Sequence, residues 1–395
     1  MRILMIAPEP IFEPRGTPLS VVGRLKAYSD LGHEVDLLTY SMGADVRLPS
    51  VRIHRVAAIP GIRRVKIGPS LAKLPLDFLL AVKSLAWASR RRHDLIHTHE
   101  EAGLWGVWLS RWFGIPHVYD MHSSLPQQLG NFQFSRSRRL VRAFEAVEDW
   151  ILTHADTVIP ICPDLADHVR KKFPEKNSLM IENVVDYGMV FGEEDRSAAV
   201  RKTLGKGPVV LYTGTFEPYQ GLDLLVESAV PVVRKIPRVR FLMVGGHPDQ
   251  VASVEKSVAE RGLSGAFTFT GQVKPQEVNS YIRCADVLVS PRTRGTNTPL
   301  KLYAYLRSGV PMVATRLWTH TQVLDERTAV LTDPDPAAFG AGIVRLLRDK
   351  SLAGRIGRAA VRLADEAYSY RVYLEKLGRA ADSAVANRKG RRVRD

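Results

Sequence analysis

The chain has 395 residues, 45% of them hydrophobic and 25% charged, an ordinary globular composition with core enough for two domains. Its formal net charge of +15 implies an anionic partner: phosphorylated ligands, an anionic membrane surface or nucleic acid. Cys162 and Cys284 lie far apart in apolar contexts, the start MRILMIAPEP lacks the layout of a signal peptide, and no apolar run nears the ~20 residues of a spanning helix; the expected location is cytoplasmic, without disulfides.

Residues 2–7 read as an apolar strand, followed by the proline-rich loop PEPIFEPRGTP. Gly16 stands in that loop where backbone must come close to something. Leu19, Val22, Leu25 and Tyr28 repeat with helical period over residues 18–31, Gly32 ends the helix, and residues 35–40 form the next strand. This is the opening βαβ unit of a doubly wound domain, although no G-x-G-x-x-G follows the first strand. A strand at 51–57 precedes a loop and amphipathic helix within 60–92, where Arg63, Arg64, Lys66, Lys73, Lys83, Arg90, Arg91 and Arg92 stand against Asp77 alone. Strands at 94–97 and 117–121 end near His97, His99 and His122, and alternate with helices at 102–113 and 138–152. Arg136, Arg138, Arg139 and Arg142 form a second basic group. A strand at 157–161 and a helix at 163–173 complete a first domain, residues 1–182.

Residues 183–207 break the rhythm with charges and glycines and read as a linker, including Asn183, Val184, Val185 and Asp186. Alternation restarts in a second domain, residues 208–364, with strands at 209–212, 239–244, 266–270 and 286–290 and helices at 222–233, 247–261 and 275–284. Helical patterns follow at 336–347 and 352–377. Residues 365–387 are expected to cross back to the first domain, and the basic tail 388–395, with Arg388, Lys389, Arg391, Arg392 and Arg394, to be disordered. The expected fold class is α/β: two doubly wound Rossmann-like domains facing a central cleft.

Residues 290–315 carry the clearest chemistry. Pro299 suits the first turn of a helix, Thr298 can cap it, and Gly309 stops it. A helix start at the carboxyl end of a parallel sheet is an anion site, and Arg292, Arg294 and Lys301 add positive charge. His97 and His99, at i and i+2, share one face of a strand, a spacing open to metal binding, but no third ligand is evident. The basic segment 60–92 can cover the sheet, lie on an anionic membrane or bind nucleic acid, and no nucleic-acid recognition module accompanies it.

The ordered set DLIHTHEEAGLWG, IENVVDYGMVF, LYTGTFEPYQGLDLLVESA, FLMVGG, FTGQV, ADVLVSP and SGVPMVAT resembles the GT-B glycosyltransferases of the large retaining family 4 over nearly the whole chain. The resemblance implies transfer of a sugar from a UDP- or GDP-linked nucleotide sugar to a glycan or lipid-linked acceptor, without metal or other cofactor and without nucleic acid. It places the donor at Gly214, Thr215, Gln220, Arg294, Thr296, Asn297, Thr298, Pro299, Leu300 and Lys301, a catalytic histidine at His122, and the cleft loop and acceptor at Gly16, Thr17 and His99. It also implies peripheral attachment to a membrane through the basic N-terminal segments. The chain departs from the pattern at four places. Thr296 and Ala304 stand where the family has acids facing the sugar and ribose, although a T-P-L-K-L-Y-E-Y subgroup lacks the first. Thr215 and Gln220 stand where it has cations facing the diphosphate. Lys301 and the arginines beside it are expected to compensate. The alternatives are a non-catalytic sugar-nucleotide-binding or scaffold protein, and an epimerase for which no acidic set is found.

Overall fold

The computed structural model describes the chain apart from residues 14–15, 63, 66–69, 91, 127–137, 184–187, 189, 191, 193 and 393–395. Arg63, Lys66, Arg91, Arg136, Arg394 and the linker residues Val184, Val185 and Asp186 therefore lie outside the described residues. The chain divides into two compact units, Met1–Asn183 with Tyr370–Asp395, and Val184–Ser369.

The first unit runs β1 (Arg2–Ala7), α1 (Gly16–Asp30), β2 (Glu34–Thr39), β3 (Val51–Arg55), α2 (Lys73–Arg90), β4 (Leu95–His99), α3 (Gly103–Phe113), β5 (His117–Met121), α4 (Arg138–His154), β6 (Thr157–Pro160) and α5 (Pro163–Lys172). Its six strands are parallel, in the order β3-β2-β1-β4-β5-β6. Helices cover such a sheet, so β1 is a continuous apolar run rather than an alternating one. Leu4 and Ile6 of β1, Leu38 of β2 and Ile96 of β4 pack under Leu76 and Leu80 of α2 and Leu109 of α3. Strand β4 extends two residues beyond the expected 94–97, because Thr98 and His99 stay in register with β5 and are fully buried. Helix α1 begins at Gly16. That residue is exposed, and an added Cβ would meet nothing within 4 Å, so the close approach expected there is not made by the chain itself.

The second unit opens with α6 (Ser197–Leu204), a helix inside the segment read as linker. Arg201 anchors it through the carbonyls of Cys284 (3.0 Å) and Gly207 (3.1 Å) and the Asp286 carboxylate (3.0 Å). Then follow β7 (Val209–Thr213), α7 (Leu222–Lys235), β8 (Arg240–Val244), α8 (Pro248–Glu260), β9 (Phe267–Gly271), α9 (Val278–Arg283), β10 (Val287–Ser290), α10 (Lys301–Ser308), β11 (Met312–Thr315), α11 (Trp318–Thr321), β12 (Val330–Thr332), α12 (Pro336–Arg348) and α13 (Lys350–Ala367). This second parallel sheet has the order β12-β11-β10-β7-β8-β9. At three residues β12 is too short to leave a periodic trace in sequence.

The helix expected over 352–377 breaks at Tyr368 and Ser369, and α14 (Tyr370–Arg392) belongs to the first unit. Tyr373, Leu377, Ala380, Ala381 and Ala384 form its buried stripe, and it packs on α1, β4, β5 and β6. The part of the basic tail that is described is helical rather than disordered as its composition suggested: the helix continues to Arg392, and Asn387 and Arg388 donate to the carbonyls of Asp156 (3.2 Å) and Ser110 (2.9 Å).

The backbone just beyond the ends of β7 and β8 is closely packed. Gly245 has φ +115°, and a Cβ there would lie 2.0 Å from the Gly214 carbonyl oxygen. Gly245→Ala is expected to lower the unfolding free energy by about 2 kcal/mol or more. The urea midpoint reads this directly, and an unchanged midpoint would show that the loop yields at no cost.

Candidate active site

In an open parallel sheet, ligands bind beyond the carboxyl ends of the strands where the strand order reverses. That point lies between β7 and β10 in the second unit and between β1 and β4 in the first.

At the first of these points, β7 ends in Thr213 and Gly214. Gly214 has φ +136° and donates its N–H to the Val244 carbonyl at 3.0 Å. An added Cβ would stand 3.3 Å from Lys301 Nζ, so glycine here leaves room for the ammonium. Lys301 opens α10, and its Nζ lies 3.8 Å from the centre of the Tyr212 ring. Tyr212 is itself fixed by donating to the Thr215 carbonyl at 2.6 Å. Lys301 Nζ is out of solvent and has no hydrogen-bond partner among the described residues. Burial, and then Arg292, push its pKa well below the usual lysine range. Arg292 is held by the Asn297 carbonyl (2.7 Å) and Thr319 Oγ1 (2.9 Å) and stacks over Tyr219. Arg292 Nε, Thr298 Oγ1 and Gln220 Oε1 are likewise buried without partners. Two cations and several unsatisfied polar atoms, with no carboxylate bonded to either cation, are costly unless an anion joins them.

In the first unit, His97 and His99 of β4 and Asp120 of β5 point to one side, with His122 directly after β5. Arg24 of α1 reaches under them. Its Nε donates to Asp120 Oδ2 at 2.7 Å, and its Nη2 donates to the Ile181 carbonyl at 3.0 Å. Tyr373 of α14 lies with its ring 5.0 Å from the guanidinium. Asp120 Oδ2 is also 3.3 Å from His97 Nε2, and His99 Nδ1 is 2.9 Å from His122 Nε2. Burial would raise the Asp120 carboxyl, but Arg24, His122 and His97 outweigh it and hold it well below the carboxylate range. Burial lowers the imidazoles, His122 to about 4 and His99 well below its usual value, so both are neutral at pH 7. His97, His99 and Asp120 have metal-ligand spacing, Asp120 being the third ligand that the sequence did not reveal. Arg24 and Tyr28, the latter 2.9 Å from His97 Nδ1, already occupy that set, which does not fit a cation.

The predicted residues fall unevenly on this frame. Gly214, Thr215, Gln220, Thr298 and Lys301 gather at the ends of β7 and β10, with Gln220 Nε2 3.5 Å from Thr215 Oγ1. Thr296 and Asn297 contribute carbonyls, to Gln322 Nε2 (2.5 Å) and to Arg292. Pro299 and Leu300 precede α10, which starts two residues later than expected. Its N-cap is Leu300, and Thr298 does not cap it because its hydroxyl is buried elsewhere in the loop. Arg294 is exposed, and Arg292 is the arginine built into the structure. His99 and His122 come together, whereas Gly16 and Thr17 open α1. Sequence reasoning missed Arg24 and Asp120, whose signal was charge inside apolar patterns, and read Tyr28 only as part of a helical face. It also missed Glu100, at φ +48°, bonded by Ser123 (3.1 Å) and pushed up to about 8 by burial and by Glu101.

Known proteins resemble this chain in sequence and fold. The family described as "Glycosyl transferases group 1" matches residues 207–349, and "Glycosyl transferase 4-like domain" matches residues 19–183. The phosphatidyl-myo-inositol mannosyltransferase of Mycobacterium tuberculosis is 27% identical, covering 98% of this chain and 100% of its own. Sucrose-phosphate synthase from Thermosynechococcus elongatus shares the fold with a TM-score of 0.75 at 22% identity, over 98% of this chain and 99% of its own. HepE from Anabaena, solved in complex with UDP, does so with a TM-score of 0.75 at 18% identity, over 97% and 100%. The chain belongs to the group 1, family 4 glycosyltransferases of GT-B fold, and glycosyl transfer is its class of reaction.

Proposed function

We propose that the protein transfers a sugar from a UDP- or GDP-linked donor to a hydroxyl of a glycan or lipid-linked acceptor, with retention of configuration and without a metal. The observation that carries this reading is the buried, unpartnered Lys301 Nζ beside Arg292 at the ends of β7 and β10. A nucleoside diphosphate supplies the missing anion. Lys301, Arg292 and the first-turn amides of α10 stabilise its charge as the glycosidic bond breaks, and they replace the cations absent at Thr215 and Gln220. The departing phosphate oxygen takes the proton of the attacking hydroxyl, which approaches on the face the diphosphate leaves, so no pair of carboxylates is required. The family resemblance assigns His122 to the sugar side of the reaction. HepE, of the same fold, was solved with UDP. Thr296 and Ala304, in place of acids, favour a second reading as a sugar-nucleotide-binding protein without turnover. Transfer and donor-hydrolysis assays over a panel of nucleotide sugars separate the two.

The acceptor side points to a membrane. Helices α2, α3 and α4 are neighbours in one layer. Helix α2 buries Leu76, Leu80 and Ala88, yet Leu74, Phe78, Val82 and Leu85 form a second apolar stripe facing solvent, with Phe78 69% exposed. Leu104, Trp108 and Trp112 continue it on α3, with Trp112 67% exposed. Arg64, Arg90, Arg92, Arg111, Arg138, Arg139 and Arg142 are exposed in the same unit, whereas Lys73 is buried against Glu101 (2.6 Å) and is no part of that surface. Apolar side chains, indoles and arginines together suit an anionic bilayer interface better than a copy of an equally basic surface. Among the described residues no helix is long and apolar enough to cross a membrane, so attachment is peripheral. A relative named for phosphatidyl-myo-inositol, a lipid, fits this placement.

Lys301→Met removes the buried amine without a cavity. The ligand-free protein is expected to melt at the same or a higher temperature, while UDP and GDP, which at about 100 times Kd stabilise wild type by about 2.7 kcal/mol, no longer shift its Tm. An undiminished shift would remove Lys301 from the donor site. For the surface, Phe78→Glu with Trp112→Glu is expected to cut co-sedimentation with phosphatidylglycerol vesicles at least about tenfold, and 0.5 M NaCl to weaken wild-type binding. Equal binding by the double variant would place attachment elsewhere.

A further inference from the structure

The hydrogen-bond pattern around Asp120 determines where each proton sits. Asp120 Oδ2 accepts from Arg24, and the 3.3 Å contact from His97 Nε2 requires a proton on that nitrogen. His97 Nδ1 then accepts from the Tyr28 hydroxyl at 2.9 Å. Asp120 Oδ1 has no hydrogen-bond donor of its own among the described residues and lies 3.5 Å from His122 Nε2. A proton on His122 Nε2 faces that oxygen and bonds His99 Nδ1 at 2.9 Å, whereas a bare nitrogen there would set lone pair against carboxylate. The other oxygen, 3.7 Å from His99 Nδ1, is already occupied by Arg24 and His97, so it draws no proton to His99 Nδ1. His99 must then carry its proton on Nε2. That atom is buried and has no partner among the described residues.

We propose that Asp120, locked by Arg24, is a positioning residue that fixes His122 and His99 as Nε2–H tautomers, so that His99 presents a preset N–H donor to a hydroxyl of the sugar substrate. The identity of that contact rests on the glycosyl-transfer reading; the proton order does not. The pair stays charged and fully buried, and the N–H donor is aligned before substrate arrives. His99 thereby becomes a substrate contact in its own right beside His122.

Two-bond ¹H–¹⁵N spectra of the ligand-free wild-type protein test the order directly. The expected result is a protonated Nε2 and bare Nδ1 for both His99 and His122, unchanged from pH 8 to about 5. A protonated Nδ1 on His99, or a mixture, overturns the proposal. Asp120→Asn is expected to mix the tautomers and lower kcat about 10²-fold with little change in donor KM. Because Asn leaves Arg24 buried and unpaired, Arg24→Met with Asp120→Asn provides a second variant lacking the charge pair, and unmixed tautomers in a folded variant count against the relay. With UDP-glucose and GDP-mannose as probes, His99→Gln, which keeps an N–H donor, is expected to retain turnover that His99→Leu loses about 10²-fold; equal loss overturns the contact. Absence of all turnover by wild type would sink the reaction and with it the contact to sugar, while the spectra decide the proton order by themselves.

Discussion

The reversal of strand order is the constraint on which both units depend. Chain connections run to one side of the starting strand and then to the other, so two adjacent strands send their following segments apart. The reversal lies between β7 and β10 and between β1 and β4. Backbone dipoles and loop side chains converge there, and the residues found at those ends follow from it. Glycine occurs where two strand ends meet, as at Gly214 and Gly245, because a Cβ would strike carbonyl oxygen or ammonium.

The two units treat buried charge in opposite ways. Arg24 and Asp120 are fully buried, but each has a partner of the other sign, and the surrounding imidazoles are neutral. Such a pair does little for net stability compared with apolar side chains, but it fixes geometry, since removing either member strands the other. Lys301 and Arg292 have no such balance among the described residues, and an anion there would supply it. Rigidity is built into one set of groups and affinity into the other.

What could be read from sequence follows the same division. The strands β1 and β7 were legible because a fully covered strand is a nearly unbroken apolar run. Lys301 was legible because Pro299 and Gly309 bracket a helix, fixing the lysine in its first turn. Arg292 and Arg294 could not be told apart, since an irregular loop has no period to say which side chain turns inward. Asp120 was hidden because its partner Arg24 lies 96 residues away. The tail misled through composition: its arginines suggest disorder, while the stripe from Tyr373 to Ala384, which decides the matter, needs a surface to pack on.

The last helix has a consequence for how the protein is made. Because α14 supplies Tyr373 beneath Arg24 and the alanine stripe against β4 to β6, the first unit draws on both ends of the chain. The second unit, Val184–Ser369, is synthesised as an uninterrupted piece and can fold as soon as it emerges. The unit that begins first is therefore completed last. Until Tyr370–Arg392 leaves the ribosome, the sheet surface that carries the Arg24–Asp120 pair lacks its cover. A nascent chain is thus without a finished first unit until its last helix has been made.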